Sequence, residues 1–321
     1  MTYPDNAKTR GNSAFLVFDH ICLHPGETRS DVSLKVGLSV TAVGTAVDRL
    51  IDEGLLYAFP GPSKGGRPAE LLYSSYDTVL IVDVRRYGAG VFITDLTGSV
   101  VFSEQRFSDS SSDPNDVVRY LIGSAADSPQ LNSDGLFAVA FLSQASSPID
   151  PDILLYARSR LSPLFMRKYD ADLLSAEVTL SKNSFDGDVL FCSVSPEGVN
   201  SSCVKRINGK TVFGDSIELI SSHGTGFGRV FRACRDAKEA GEELADALLN
   251  SVAIMSPDAV LLEISGIGSD EKLGRHVKGV FEKKLTKAPA VKTFFRDENG
   301  FRSALLSRLR RSPFERRKVQ K

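Results

Sequence analysis

Few residues of this chain of 321 residues have a type and spacing that suggest chemistry. The four cysteines form no CxxC pair, and the four histidines show no HxxxH spacing. Zinc sites are usually built from such local pairs, so the sequence predicts no metal site and four cysteines that act as small buried hydrophobic side chains. Residues 224–228, Gly-Thr-Gly-Phe-Gly, follow His223 with the glycine spacing of a phosphate loop. They follow no clear strand, and such strings are common turns, so we expect no cofactor there.

Charge is distributed unevenly along the chain. The net charge is −1, but residues 302–321 alone carry +7, which leaves −8 on the other 301 residues. A basic end on an acidic body indicates contact with a polyanion or with an acidic face of the same protein. A solvated helix end followed by a frayed tail explains the pattern equally well.

Apolar segments long enough for a membrane are missing from the sequence. The longest clean apolar run, residues 136–142, is far shorter than the roughly 18–20 residues that span a bilayer. The first ten residues are polar and lack the apolar core of a signal peptide. Hydrophobic residues make up 42% and charged residues 25%, which excludes disordered, collagen-like and coiled-coil chains. We therefore expect a cytoplasmic globular protein with no membrane contact.

The first 75 residues carry the strongest secondary-structure signals. An apolar stripe at residues 15–21 predicts a first helix, Thr28 with Asp31 predicts the start of a second helix, and Gly37 its end. Ser39 is placed to begin a third helix that ends at Gly54. Two helices joined by a short glycine-containing turn are typical of a helix-turn-helix, whose second helix enters the DNA major groove. Residues 55–59 and 69–73 predict a hairpin, the wing of a winged helix.

We predict that DNA contacts come from the third helix and from the hairpin loop. The predicted residues are Ser39, Val40, Thr41, Ala42, Thr45 and Arg49 on the helix, and Lys64, Gly65, Gly66 and Arg67 in the loop. Residues 1–75 carry seven basic and eight acidic side chains, a poor balance for duplex affinity. A small helical bundle that makes protein contacts is the alternative interpretation.

Three strings in this region resemble those of ROK-family regulators (repressor, open reading frame, kinase). They are Gly-Leu-Ser at 37–39, Asp-Arg-Leu-Ile-Asp-Glu-Gly-Leu at 48–55 and Gly-Gly-Arg-Pro at 65–68. The resemblance implies an α/β protein with a winged helix-turn-helix in residues 1–75. A two-lobed domain of the actin/hexokinase (ribonuclease H-like) fold would follow in 76–321. Its lobes would span about 76–185 and 186–300, with a basic helix at 300–311 returning to the first lobe.

The remaining apolar segments follow the order of that family. Strands are predicted at 79–84, 90–96, 98–102, 136–142, 188–194 and 259–264, and a long helix at 241–255.

The catalytic elements that the resemblance implies are altered in this chain. Where the family's first phosphate loop reads roughly Gly-Gly-Thr after Asp83, residues 85–87 are Arg-Arg-Tyr, and residues 195–198 of the second loop are Ser-Pro-Glu-Gly. The family's Asn-Asp pair corresponds to Asn183 and Ser184, and a serine cannot serve as the base. Its Glu-x-Gly-His motif keeps only Glu218, and of its zinc-binding cysteines only Cys234 lies nearby.

The sequence therefore predicts a non-enzymatic, sequence-specific DNA-binding transcriptional regulator, a repressor of the ROK type. It would bind a palindromic operator in double-stranded DNA as a homodimer or tetramer, and Asn183 and Glu218 would contact a sugar effector. A kinase-fold scaffold that acts through protein contacts is the alternative, and an active sugar kinase is a third. Val40 and Ala42 can contact only thymine methyl groups, so the preferred DNA sequence should differ from the family's usual one.

Overall fold

The computed structural model describes residues 10–62, 68–85, 88–107, 113–144, 149–183, 187–195, 198–207, 210–219, 234, 236–264 and 270–315. The N-terminal unit has the order α1 (Arg10–Leu23), β1 (Glu27–Thr28), α2 (Arg29–Val36), α3 (Val40–Asp52), β2 (Leu56–Pro60) and β3 (Glu70–Ser74). Its strands form an antiparallel sheet in the order β1-β3-β2. Helices α2 and α3 and the hairpin strands lie within about a residue of their predicted positions. Helix α1 includes the predicted stripe at 15–21 but begins five residues earlier, and the two-residue strand β1 was not predicted.

Local capping explains how α2 and α3 begin and end. Thr28 Oγ accepts a hydrogen bond from the Asp31 backbone N–H, and the Asp31 carboxylate accepts one from the Thr28 N–H, which makes a capping box. Gly37 ends α2 with φ of 73°, a left-handed conformation that glycine adopts without steric cost. Ser39 Oγ then accepts from the Ala42 N–H at 3.2 Å and begins α3.

Two five-stranded sheets of identical topology form the rest of the described chain. The first has the order β6-β5-β4-β7-β8 and the second β11-β10-β9-β12-β13. In each sheet an antiparallel three-stranded meander is followed by two strands parallel to its first strand. The strands of the first sheet are β4 (Thr78–Arg85), β5 (Gly88–Asp95), β6 (Val100–Phe107), β7 (Leu136–Ser143) and β8 (Phe165–Asp170). Those of the second are β9 (Val189–Ser195), β10 (Gly198–Ile207), β11 (Lys210–Glu218), β12 (Ala259–Ile264) and β13 (Ala290–Phe295).

Within the described residues, six helices accompany these sheets. They are α4 (Pro114–Ala126), α5 (Pro151–Arg160), α6 (Ala171–Asn183), α7 (Ala237–Met255), α8 (Asp270–Lys284) and α9 (Glu298–Glu315). Helix α6 runs from the last strand of the first sheet to the first strand of the second and packs against both β9 and β10. None of the described helices is long and apolar enough to cross a bilayer.

The terminal helix α9 joins the N-terminal unit to the first sheet. The Phe314 ring lies 5.8 Å from the rings of both Phe15 and Phe18 on α1, and Phe18 contacts Phe137 of β7 at 5.7 Å. Arg310 of α9, 4% exposed, donates from Nε to Asp19 of α1 at 2.5 Å. Its Nη1 donates to the Leu96 carbonyl at 2.7 Å. One hydrophobic cluster therefore extends through α1, the first sheet and α9.

Several sequence predictions need correction. The helix predicted at 300–311 spans 298–315, and the helix predicted at 241–255 begins at Ala237 because Asp236 caps it. The strand predicted at 98–102 is Val100–Phe107, since the Asp95 carboxylate binds three backbone N–H groups of a turn that occupies residues 97–99. The prediction that all four cysteines are buried was wrong, because two are buried and two are only half-buried. The buried pair is Cys22 and Cys192, and the half-buried pair is Cys203 and Cys234.

Candidate functional site

Helix α3 presents an uncharged, exposed face at its start. Val43, Val47 and Leu50 are fully buried on the inner side of the helix. The predicted contact residues Ser39, Val40, Thr41 and Thr45 are exposed, and Ala42 is half-buried. Val40 is 56% exposed although it is apolar. The structure thus brings the predicted helix residues together on one surface rich in hydroxyl and methyl groups.

The cations of the N-terminal unit are engaged by carboxylates wherever their side chains are described. Arg29 contacts Asp48 of α3 at 2.7 Å and Glu70 of β3 at 3.4 Å. Arg49, predicted to lie near the DNA backbone, pairs with Glu53 at 2.9 Å. Lys35 likewise pairs with Glu27. An interface built from α3 would therefore depend on hydroxyl and apolar contacts, and the predicted loop residues Lys64, Gly65, Gly66 and Arg67 lie outside the described residues.

A second candidate site is a row of polar side chains across the second sheet. Glu218, Asn200, Ser193 and Glu263 occupy neighbouring positions on β11, β10, β9 and β12, so they share one face of the sheet. The two levels of this face nearer the starts of β9 and β12 are largely apolar, whereas this row is polar yet buried: Asn200 is 4% exposed and Glu263 2%. Within the described residues, Asn200 Oδ1 accepts no hydrogen bond. Buried polar atoms are normally paired, so this acceptor is available to a water molecule or a ligand.

The N-terminal end of α6 and Arg296 lie over this row. Ser175 of α6 donates a hydrogen bond to Glu263 Oε1. Arg296 Nε lies 3.5 Å from Glu263 Oε2 without making a hydrogen bond to it, and Nη2 donates to the Ala171 carbonyl at 3.4 Å. Asp172 accepts a hydrogen bond from Gln144 Nε2 at 3.3 Å, at the end of β7. Residues from both sheets therefore meet at this point.

Burial changes the acidity of two carboxyl groups in this cluster. Desolvation, followed by the nearby charge of Asp170, raises the pKa of Asp172 to about 6. Desolvation also raises the pKa of Glu263, and the Arg296 guanidinium only partly offsets it. Both carboxyl groups therefore keep a proton to a higher pH than ordinary carboxyl groups do.

A small cavity of about 40 Å³ lies between the first sheet and the start of α9, among Asp83, Arg85, Leu142 and Arg296. That is close to the volume of one water molecule, about 30 Å³, and far below the roughly 300–1,000 Å³ of small-molecule pockets. Asp83 Oδ2 accepts hydrogen bonds from Arg85 Nε at 2.9 Å and Nη2 at 2.7 Å, so this carboxylate is already engaged.

The two predicted effector residues have different positions. Glu218 is half-buried at the end of β11 and belongs to the polar row. Asn183 is the last residue of α6, and its side chain lies outside the described residues, as do Ser184 and the string 224–228. Sequence reasoning missed Asp172, Glu263 and Arg296. Only Glu263 carried a signal, a carboxylate within the otherwise apolar strand Ala259–Ile264.

Among the described residues, no group of three or more His, Cys, Asp and Glu side chains is arranged to hold a metal ion.

Comparisons with known proteins show the fold. No protein-family model matches the sequence, and none of the curated proteins does. A solved ROK family transcriptional regulator, a homolog of the E. coli MLC protein, matches with a TM-score of 0.57 and 13% identity over 97% of this chain and 99% of that one. A ROK family glucokinase from Streptomyces griseus, solved with glucose and AMPPNP, matches with a TM-score of 0.49 and 11% identity over 71% of this chain and 97% of that one. For a ROK hexokinase from Thermus thermophilus the TM-score is 0.42 and the identity 12%, over 72% of this chain and 97% of that one. The paired sheets thus have the mixed α/β fold of ROK proteins.

Proposed function

We propose that this protein is a DNA-binding transcriptional regulator of the ROK type that does not transfer phosphate. We propose further that its cleft, the region around the polar row where residues of both sheets meet, binds a sugar or sugar derivative. The observation that carries the proposal is the exposed, uncharged face at the start of α3, directly after the Gly37 turn and beside the β2–β3 hairpin. That order corresponds to a winged helix-turn-helix with α3 as recognition helix. The regulator that shares this fold does so over 97% of this chain, including the N-terminal unit.

The chemistry of α3 indicates how DNA would be read. Ser39, Thr41 and Thr45 offer hydroxyl groups to base edges, and Val40 offers methyl groups that fit the C5-methyl of thymine. Arg49 is held by Glu53, so phosphate contacts fall to the predicted hairpin-loop cations Lys64 and Arg67. A homodimer would place two such helices one helical turn apart on a palindrome, about 10 base pairs from centre to centre.

The absence of phosphoryl transfer is supported by two residues. Asp83 is engaged by Arg85 in place of the family's glycine-rich loop, and Ser184 stands where the family has its base. A serine hydroxyl has no proton affinity that would activate a sugar hydroxyl. Incubation with ATP and a sugar panel should therefore consume no ATP above the rate without sugar. Sugar-dependent ATP consumption would contradict this part of the proposal.

An effector site in the cleft is supported by the polar row. Glu218, Asn200 and Glu263 present carboxylate and amide oxygens, which suit the hydroxyl donors of a sugar. We expect that a sugar which binds here also changes DNA affinity.

A second candidate function, a scaffold acting through protein contacts, is favoured by one observation. Each described cation side chain in residues 13–75 pairs with a carboxylate, which weakens attraction to phosphate. The two functions can be separated by selecting DNA sequences that bind the protein, because DNA binding predicts enrichment of one sequence and scaffolding predicts none.

Selection of DNA from a random duplex library tests the main proposal. We expect enrichment of a palindrome whose binding weakens steeply with salt. Val40→Glu places a carboxylate toward the phosphates and should reduce affinity at least tenfold. Val101→Glu is the matched control, because Val101 is a similarly exposed valine, 49% against 56%, on β6. No enrichment at low salt, or an equal loss in both variants, would favour the scaffold.

A further inference from the structure

A groove at the edge of the first sheet shares no lining residue with α3 or with the polar row. It lies between α5 and the edge strand β8 and encloses about 400 Å³. Its floor is apolar and its rim is basic. The floor consists of Pro151, Leu154, Leu155 and Met166, and the rim of Arg158, Arg167 and Lys168.

The rim cations are not neutralised by the described part of the chain. Neither Arg158 nor Lys168 has a described carboxylate within 4 Å, and Arg167 contacts the Ser312 hydroxyl at 3.5 Å. By contrast, Arg160, two residues from Arg158 on α5, pairs with Asp127 at 2.9 Å. The lining of the groove therefore carries three positive charges and no negative one.

The equivalent position in the second sheet provides an internal comparison. A groove of about 380 Å³ lies there between α8 and the edge strand β13. Its Lys278 pairs with Glu282 of the same helix at 3.4 Å. The duplicated fold therefore provides a groove in both sheets, but the unneutralised, apolar-floored version lies in the first sheet.

The free edge of β8 provides hydrogen-bonding groups beside this surface. Within the described chain β8 pairs with β7 alone, so its other edge retains backbone groups that could pair with a further strand. Charged side chains on an edge strand often prevent such pairing, which would explain Lys168. The need to prevent strand pairing does not explain Leu155, an apolar side chain next to this edge that is 65% exposed.

We infer that this groove binds an acidic, extended segment of a partner protein, which adds a strand to the free edge of β8. An apolar side chain of the segment would pack on Leu155 and Met166, and flanking carboxylates would pair with Arg158 and Lys168. Strand addition of this kind takes affinity from backbone hydrogen bonds and specificity from side-chain pockets. Nucleic acid fits less well because its phosphates leave the apolar floor unused. A two-fold pairing of β8 with its own copy would bring identical cations together.

A designed peptide tests the inference on the full-length protein. The probe is a fluorescein-labelled decapeptide of alternating Leu and Asp, and the control peptide has Lys in place of each Asp. Fluorescence anisotropy should show at least tenfold tighter binding of the acidic peptide. Arg158→Glu with Lys168→Glu should weaken that binding at least tenfold, and so should Leu155→Asp.

The control variant reverses two cations elsewhere, the half-buried Arg119 and the exposed Lys278, as Arg119→Glu with Lys278→Glu, and should bind as the wild type does. Equal thermal unfolding of all variants establishes that the fold is intact. Amide hydrogen exchange should show protection of residues 165–170 when the acidic peptide binds. Equal affinity for both peptides, equal losses in test and control variants, or protection confined to α5 would overturn the inference. So would displacement of the peptide by duplex DNA, or an Arg158-dependent homodimer that blocks it.

Discussion

Replacing Arg310 by methionine is expected to destabilise the protein by about 3–5 kcal/mol. The guanidinium makes two buried contacts, to Asp19 at 2.5 Å and to the Leu96 carbonyl at 2.7 Å. Methionine fills much of the same volume but leaves the Asp19 carboxylate, 7% exposed, without its counter-charge. An uncompensated buried charge is what makes the loss of one partner of such a pair costly.

The double variant Arg310→Met with Asp19→Leu should recover most of that loss. Replacing both members of a buried ion pair by apolar residues of similar size is often neutral, so we expect it within about 2 kcal/mol of the wild type. Urea unfolding, followed by circular dichroism and by a second probe, measures both variants. Arg158→Met removes a cation that has no described carboxylate within 4 Å, and it should change stability by less than about 0.5 kcal/mol.

Two results would refute this reasoning. The first is a loss below about 1 kcal/mol in Arg310→Met, because the pair would then not be buried as described. The second is additivity of the two single substitutions, because residues in direct contact should show a coupling energy.

Three further outcomes are expected. Asp172→Asn should gain stability relative to the wild type as the pH rises from about 4 to about 6, and the gain should reach about 3 kcal/mol at pH 7. The reason is that the raised pKa of Asp172 makes folding of the wild type less favourable once this group ionises. A stability difference that does not change with pH in urea unfolding would contradict this prediction. Gly37→Ala should lower the free energy of unfolding by about 1 kcal/mol, and Gly37→Asn by less, because φ at this position is 73°. Equal losses of the two variants in thermal unfolding would show that the left-handed backbone is not the cause. Gly88→Ala should lower the free energy of unfolding by about 1–3 kcal/mol, because a Cβ there would overlap the Arg106 carbonyl oxygen. An unchanged melting temperature would show that β5 and β6 can move apart without cost.

The elements predicted from sequence are those with local signals. Helices α2 and α3 carry their own caps at Thr28 and Ser39. Strand β7 is a nearly continuous apolar run, and β12 is apolar except for Glu263. All four elements can therefore be recognised without information from distant residues. Strand β8 was missed because its sequence, Phe-Met-Arg-Lys-Tyr-Asp, is largely polar. It is a strand because β7 offers it a parallel partner, which is tertiary information. Helix α5 was missed for a similar reason, since only Ile153 and Ala157 are buried.

The cleft shows the same limit more strongly. The position of Glu263 beside Ser193 follows from the parallel register of β12 with β9, which no local pattern specifies. Asp172 reaches the same place from α6, 91 residues earlier in the chain. Glu218 was selected through the family resemblance, and the structure places it in the polar row. The effector roles of both Glu218 and Asn183 stay predictions. The division at residue 75 also stays a prediction, and the hydrophobic cluster crosses it.

The bridge made by α9 has a consequence for biosynthesis. Asp19 leaves the ribosome 291 residues before Arg310, which binds it, and Phe15 and Phe18 likewise precede Phe314, which packs on them. Part of the apolar surface of α1 therefore stays uncovered until α9 has been made. Contacts between such distant positions form slowly because a long loop must close first. During that interval the exposed apolar surface favours aggregation of the nascent chain.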